Sequence, residues 1–253
     1  MNVAIVGYGF VGQATEYFLH WYKPETTIKI EDPAKGYTIE DWSDIEYTFI
    51  CVPTDLEPLG NGKERLDTSI IDSVIEKFTF NLGGIVIRST IGPDQALKYA
   101  KTGCIIMPEF LRENYWKEDV VDATIEVVIG HSNHEHFVDW IKDGLPREIR
   151  ETTAIEASCI KIYRNAALAV NVGLANDIKE ICDLYDINYQ PIKEYFMKDK
   201  TLGTHWEVPG PDGKGGFGGT CLPKDLTHAS TLCYNTNNIM KTAVKANKFR
   251  RGK

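Results

Sequence analysis

Several features are missing from this sequence, and each absence excludes something. No run approaches the roughly 18 uncharged apolar residues that a membrane-spanning helix needs. Basic residues are outnumbered, 28 Lys+Arg against 36 Asp+Glu for a net charge of −8, so a nucleic-acid partner, which needs a basic face, is not expected. The six cysteines (Cys51, Cys104, Cys159, Cys182, Cys221 and Cys233) contain no CxxC pair. In a chain this long they suggest neither a disulfide framework nor a zinc site, and a reducing, cytoplasmic compartment is expected. The opening MNVAIVGYGF has neither the basic flank nor the cleavage site of a signal peptide. There is no repeat or low-complexity tract. His131, His134 and His136 cluster but straddle a helix start, with only Glu135 beside them, so no metal site is expected.

What is present is a globular composition: 253 residues, 43% hydrophobic and 25% charged, enough for one or two domains with a sizeable core. In the first half, short β-branched runs alternate with helical patterns. The runs are Val3 to Val6, Thr27 to Ile30, Tyr47 to Val52, Ile85 to Ile87, Cys104 to Met107 and Ile125 to Ile129. The helical patterns are Val11 to Tyr22, Thr68 to Phe80 and about His134 to Lys142. Such alternation predicts an α/β fold, a Rossmann-like doubly wound parallel sheet. From Thr152 to Tyr185 runs one long helical pattern, free of proline and weakened only at Gly173. A short helix near Pro191 to Met197, a Gly/Pro-rich loop and a helical stretch opening at Pro223 follow. The expected organisation is a dinucleotide-binding domain over 1–150 and a small helical substrate and dimerisation domain over 151–253.

Gly7, Gly9 and Gly12, with Phe10 and Val11 between the last two, form a GxGxxG turn after a strand and before a helix. Glycines there allow a tight turn and close backbone approach to a pyrophosphate, which the helix N-terminus attracts. Asp32, 20 residues beyond Gly12, ends the second strand, where a carboxylate accepts ribose hydroxyls and repels a 2′-phosphate, favouring NAD over NADP.

Cys221 sits at the mouth of a helix, behind Gly216, Phe217, Gly218, Gly219 and Thr220. The helix dipole and Lys224 favour a thiolate there, and Asp225 lies one turn on; a structural cysteine after a flexible loop is the alternative. Lys161 and Asn165 share one face of the long helix and could stabilise an oxyanion, although the spacing alone fits a solvated face better. Glu109, Glu113 and Thr90 follow strand ends, where ligands of doubly wound sheets bind, and equally suit ordinary loops. The stretch Trp206 to Gly219 is read as a binding loop rather than a linker, and the basic tail Lys248 to Lys253 as a solvated end.

VGYGFVG, CVPT (51–54), RSTIGP (88–93), MPEFLREN (107–114), EASCIKIYRNAALA (156–169) and GFGGTCLPKD (216–225) together resemble the nucleotide-sugar (UDP-glucose/GDP-mannose) 6-dehydrogenase family. The resemblance implies NAD-dependent oxidation of a sugar C6 alcohol to a carboxylate, with UDP-glucose the expected substrate and two NADH formed per turnover. It assigns Cys221 to a thiohemiacetal and then a thioester, Lys161 and Asn165 to the oxyanion, and Asp225, Thr90 and Glu109 to the hydrolytic water. It implies that Pro53, Thr54 and Thr90 join the glycine turn and Asp32 in holding NAD. Glu109, Phe110, Leu111, Glu113, Lys161, Asn165, Phe217, Gly218 and Gly219 would hold the sugar nucleotide, with Lys200 where the family uses an arginine from the partner subunit. The family's long helix forms a homodimer core. The family's third, UDP-binding domain is expected to be absent, and the segment 32–47 is short for the family. Two other readings follow from the same residues: a two-electron hydroxyacid dehydrogenase using Lys161 and Asn165, or a non-catalytic protein that binds NAD or a partner.

Overall fold

The computed structural model describes residues 1–60, 63–78, 84–200, 202, 205, 207–232 and 238–252. They divide into two compact units, Met1–Asp55 with Leu66–Lys161, and Leu56–Arg65 with Ile162–Lys253.

The first unit begins with β1 (Asn2–Val6), α1 (Phe10–Tyr22), β2 (Thr27–Glu31) and β3 (Tyr47–Ile50). After a hairpin assigned to the second unit, β4 (Leu56–Gly60) and β5 (Lys63–Leu66), come α2 (Ser69–Phe78), β6 (Gly84–Ile87), α3 (Pro93–Ala100) and β7 (Ile105–Ile106). The unit continues with α4 (Trp116–Val121), β8 (Val127–Gly130), α5 (Glu135–Lys142) and β9 (Ile149–Thr152).

Among the described residues these strands form a seven-stranded sheet in the order β2-β1-β3-β6-β7-β8-β9. The chain steps outward from β1 to β2 and then crosses to β3 on the other side, so the switch point lies at the C-terminal ends of β1 and β3. Side chains alternate across the sheet. Val3, Ile5, Phe49 and Val86 enter one apolar cluster, while Ala4, Val6, Ile50 and Ile87 enter another. Both faces are therefore covered, which explains why the strands read as continuous β-branched runs. Each of the Val, Ile and Phe side chains, once buried, contributes about 1.5–3 kcal/mol.

The sheet departs from the all-parallel expectation at one place. β7 and β8 pair antiparallel through Ile106 and Gly130, because the connection between them, carrying α4, reverses the chain instead of crossing the sheet. β8 and β9 are parallel to each other across α5. The three imidazoles have different partners: His131 Nε2 lies 3.5 Å from Glu151 and its Nδ1 accepts the His134 N–H at 3.3 Å, His134 Nε2 lies 2.7 Å from the Gly103 carbonyl, and His136 Nδ1 3.5 Å from the Tyr47 hydroxyl.

The second unit is built on α6 (Ala154–Leu184), α7 (Tyr189–Lys198), α8 (Leu222–Leu232) and α9 (Ile239–Arg250), and the division between units falls inside α6. The sequence Thr153-Ala-Ile-Glu156 caps α6: the Thr153 N–H donates to Glu156 Oε2 (3.0 Å) and the Glu156 N–H to Thr153 Oγ1 (3.3 Å). The hydrogen bonds from Thr152 and Thr153 pull the Glu156 carboxyl down to about 2. Thr231 Oγ1 donates to the Glu64 carbonyl at 3.2 Å, tying α8 to the hairpin.

The basic tail is only in part a solvated end: Lys248, Phe249 and Gly252 are exposed, but its two arginines are held. Arg250 pairs with Asp177 and Glu180 of α6, and Arg251 Nη1 donates to Asp212 at 2.6 Å, because the acids of α6 and of the loop present complementary charge to the last turn of α9. Lys253, Trp206, Phe80 and Cys233 lie outside the described residues. Among the described residues no helix is long and apolar enough to cross a membrane.

Candidate active site

The glycine turn lies at the switch point of the sheet. Gly7 has φ +87°, and a Cβ there would stand 2.8 Å from the Cys51 carbonyl oxygen at the end of β3. A Cβ on Gly12 would come within 2.1 Å of the Gly7 carbonyl, so α1 can close on the turn only with glycine at that position. Gly9 is different. Its φ of −73° suits any residue, and a Cβ on it would meet nothing within 4 Å. Gly9 also begins α1 without a side-chain cap, and the first turn holds no acidic residue. The turn therefore has open space at a helix N-terminus, which fits a pyrophosphate.

Asp32 is tied to this turn, accepting the Tyr8 N–H on Oδ2 at 2.8 Å, while Lys35 Nζ donates to the Tyr8 carbonyl at 2.5 Å. Phe10 and Val11 are half-buried at the start of α1, and Pro53 is exposed. Thr54 is buried and donates its hydroxyl to the Thr90 carbonyl at 2.7 Å, so the chain after β3 and the chain after β6 are locked side by side. Cys51 is no nucleophile. Burial pushes its thiol up to about 11 despite the opposing pull of Arg88 and of Thr15 Oγ1, 3.6 Å away.

Still in the first unit, Glu109 and Lys161 are both buried and form an ion pair, Nζ to Oε1 2.7 Å. Lys161 Nζ also donates to the Glu109 carbonyl at 2.7 Å, and the Leu111 N–H to Glu109 Oε2 at 2.7 Å. Burial alone would raise the Glu109 carboxyl. The charge and hydrogen bond of Lys161, the Leu111 N–H and the charge of Arg88 outweigh it and hold the group below its ordinary value. Arg88 was not singled out from sequence. It is buried, its Nε has no hydrogen-bond partner among the described residues, and it lines a small pocket with Met107, Pro108, Glu109, Phe110 and Leu111. Phe110 is buried with its ring 5.8 Å from Lys161 Nζ, whereas Glu113 is exposed on the loop beyond.

The second unit holds the other candidates. Cys221 is half-buried immediately before α8, and its carbonyl accepts the Asp225 N–H at 2.8 Å. Asp225 is fully buried. Its Oδ2 accepts Asn165 Nδ2 at 2.7 Å and its Oδ1 accepts Lys224 Nζ at 3.0 Å. Asn165 is thus buried and bonded, not part of a solvated face, and Lys161, one helical turn earlier on α6, is buried as well.

Gly216 and Phe217 are buried, Gly218 is half-buried and Gly219, with φ +76°, is exposed; Lys200 is exposed beyond α7. The N–H groups of Gly216 and Phe217 are used internally: Asn176 Oδ1 takes the first at 2.7 Å and Asn247 Oδ1 the second at 2.8 Å. Neither asparagine stood out in sequence, since a lone Asn on a helical pattern carries no signal.

A glycine turn at the switch point of a Rossmann-type sheet is followed in the chain by a glycine-framed cysteine before a helix. Residues 155–248 match the model of the UDP-glucose/GDP-mannose dehydrogenase family, central domain. The chain is 26% identical over 230 residues to a UDP-glucose 6-dehydrogenase of Rickettsia typhi, covering 84% of this chain and 51% of that protein. It is also 26% identical to a UDP-glucose 6-dehydrogenase of Streptococcus pneumoniae, covering 99% of this chain and 74% of that one. Among solved structures, UDP-D-ManNAc dehydrogenase from Pyrococcus horikoshii shares the fold with TM-score 0.81 at 18% identity, over 100% of this chain and 69% of that one. The chain spans about half the length of the first of these curated relatives.

Proposed function

We propose that this chain carries out the NAD-dependent oxidation of the C6 alcohol of a nucleotide sugar to the corresponding acid, with UDP-glucose as substrate. The observation that carries the reading is the environment of Cys221. A half-buried thiol precedes α8, and its own carbonyl is bonded to the N–H of Asp225, a buried carboxylate that Asn165 and Lys224 hold in place.

Overall, one alcohol, one water and two NAD+ give one carboxylate, two NADH and three protons. NAD, when bound, accepts the hydride in each of the two oxidations. Gly7, Gly9 and Gly12 would hold its pyrophosphate and Asp32 its ribose, with Phe10, Val11, Pro53, Thr54 and Thr90 completing the cofactor site. The Cys221 sulfur attacks the aldehyde carbon, forming the C–S bond of a thiohemiacetal. Loss of hydride from that carbon leaves a thioester. Lys161 and Asn165 stabilise the oxygen that bears negative charge in the tetrahedral states. Water activated by Asp225, Thr90 and Glu109 then adds to the thioester; the C–S bond breaks and the thiol is regenerated with the acid. Glu109 is held ionised by Lys161, which makes it a weak base and suits it to orient the water rather than to take its proton. Phe110, Leu111, Glu113, Lys200, Phe217, Gly218 and Gly219 would hold the sugar nucleotide, and the protein would work as a homodimer through α6 in the cytoplasm.

The test is a panel of sugar nucleotides with NAD, followed by NADH absorbance. UDP-glucose should give turnover that Cys221→Ser abolishes. Turnover that survives Cys221→Ser unchanged would remove the thioester chemistry, and absence of NADH from every sugar nucleotide would remove the dehydrogenase reading.

A further inference from the structure

Two buried side-chain amides grip the backbone of the glycine loop that precedes Cys221. Asn247 of α9 does so with both ends. Its Oδ1 accepts the Phe217 N–H at 2.8 Å and its Nδ2 donates to the Phe217 carbonyl at 3.0 Å, so one side chain satisfies both polar groups of one residue. Asn176 of α6 takes the neighbouring Gly216 N–H at 2.7 Å and is itself fixed by Nδ2 donating to the Val172 carbonyl at 2.7 Å. They are only 8% and 4% exposed, so these bonds do not exchange freely with water.

The sequence accommodates the grip at Gly216. Its φ is +75°, and a Cβ there would stand 2.3 Å from Asn247 Oδ1, so any other residue would push the amide away. The neighbouring turn is braced separately, by Arg251 Nη1 donating to Asp212 at 2.6 Å. Only Gly218, Gly219 and Thr220 separate Phe217 from Cys221, and the chain spans at most about 3.3–3.6 Å per residue. Cys221 is bonded on its far side through its carbonyl to the Asp225 N–H. Its short loop is therefore anchored at both ends, with Gly219 the pliable point between them.

We propose that Asn247, backed by Asn176, is a positioning residue for Cys221: by clamping Phe217 it sets where the glycine loop delivers the thiol. The proposal deepens the dehydrogenase reading and rests on it for its catalytic consequence, but not for its structural one. The amide is chemically specific. Aspartate keeps the acceptor for the Phe217 N–H but loses the donor, and sets a carboxylate against the Phe217 carbonyl. Glutamine keeps both groups but carries them one methylene further out, displacing them from the Phe217 N–H and carbonyl.

The experiment compares wild type with Asn247→Asp and Asn247→Gln in the full chain. Iodoacetamide alkylation of Cys221 is timed by peptide mass spectrometry, and deuterium uptake is followed across 208–221, both without substrate. The proposal expects the Cys221 alkylation rate to shift at least threefold and uptake across 216–217 to rise at least tenfold. NAD affinity should stay within twofold, because the cofactor turn lies in the other unit. With substrate, kcat should fall at least tenfold with KM changed less. Folded Asn247→Asp with wild-type alkylation and uptake would overturn the proposal. If Asn247→Asp does not fold, Asn247→Gln is read by the same two assays, and wild-type behaviour there overturns it equally. Since neither assay needs turnover, a wild-type protein yielding no NADH counts against the dehydrogenase reading and leaves the positioning result intact.

Discussion

Lys161 Nζ stands 2.7 Å from both the Glu109 carboxylate and the Glu109 main-chain oxygen, so one cation holds a buried acid and the backbone that carries it. Without Lys161, the Glu109 charge would stay buried with only the Leu111 N–H and the charge of Arg88 to offset it. Lys161→Met should therefore destabilise the protein by about 3–5 kcal/mol, the usual cost of breaking a buried pair from one side. Lys161→Met/Glu109→Gln should recover a large part of that loss. Chemical denaturation of the two variants at pH 7 checks both directions.

The same pair gives a pH dependence with a definite sign. The Glu109 carboxyl lies below its ordinary value in the folded protein. Its contribution is thus present in full above the unfolded carboxylate value of about 4.3 and is lost as pH falls through the lower folded value. In Lys161→Met the acid loses that support. The gap in thermal midpoint between wild type and variant should be wide at pH 7 and narrow as pH falls below about 4. Midpoints recorded between pH 7 and 3 decide this, and a gap that stays constant would deny the pair any part in it.

The three glycines of the turn should respond differently to alanine. Gly12→Ala places a Cβ 2.1 Å from the Gly7 carbonyl and should unfold or distort the first unit. Gly9→Ala meets nothing within 4 Å at an ordinary φ and should leave the midpoint near wild type, within about 0.5 kcal/mol. Its NAD affinity should nevertheless fall at least tenfold, because the methyl occupies the space offered to the pyrophosphate. Calorimetric NAD titration beside thermal unfolding separates the two effects.

Asp225 is fully buried and depends on Asn165 for one of its oxygens. Asn165→Leu strands that oxygen and should cost about 1–3 kcal/mol, whereas Asn165→Asp sets two carboxylates together and should cost more. Denaturant midpoints at pH 7 rank them.

Much of this architecture was legible in the residues. β1, β2 and α1 follow from their β-branched and helical patterns, and GxGxxG after a strand marks the tight glycine turn that opens α1. The hairpin β4–β5 went unread, although an Asn61-Gly62 dipeptide between two short runs is a known hairpin signal. β9, reading IRET, has an exposed centre and too little apolar periodicity to register. The antiparallel β8 was hidden because a buried strand reads the same in either direction. At the site, Cys221, Asp225 and Glu109 stood out through their motifs. Arg88, Asn176 and Asn247 did not, because their importance lies in partners 30 to 40 positions away for the asparagines and in burial for the arginine. The tail KFRRGK looked solvated for the same reason: the acids it meets are far along the chain.

The most direct test of the central claim counts NADH. With UDP-glucose limiting and NAD in excess, the wild-type protein should release two NADH per sugar nucleotide consumed, and Cys221→Ser should release none to completion. One NADH per sugar nucleotide, with Cys221→Ser running as well as wild type, would contradict the account.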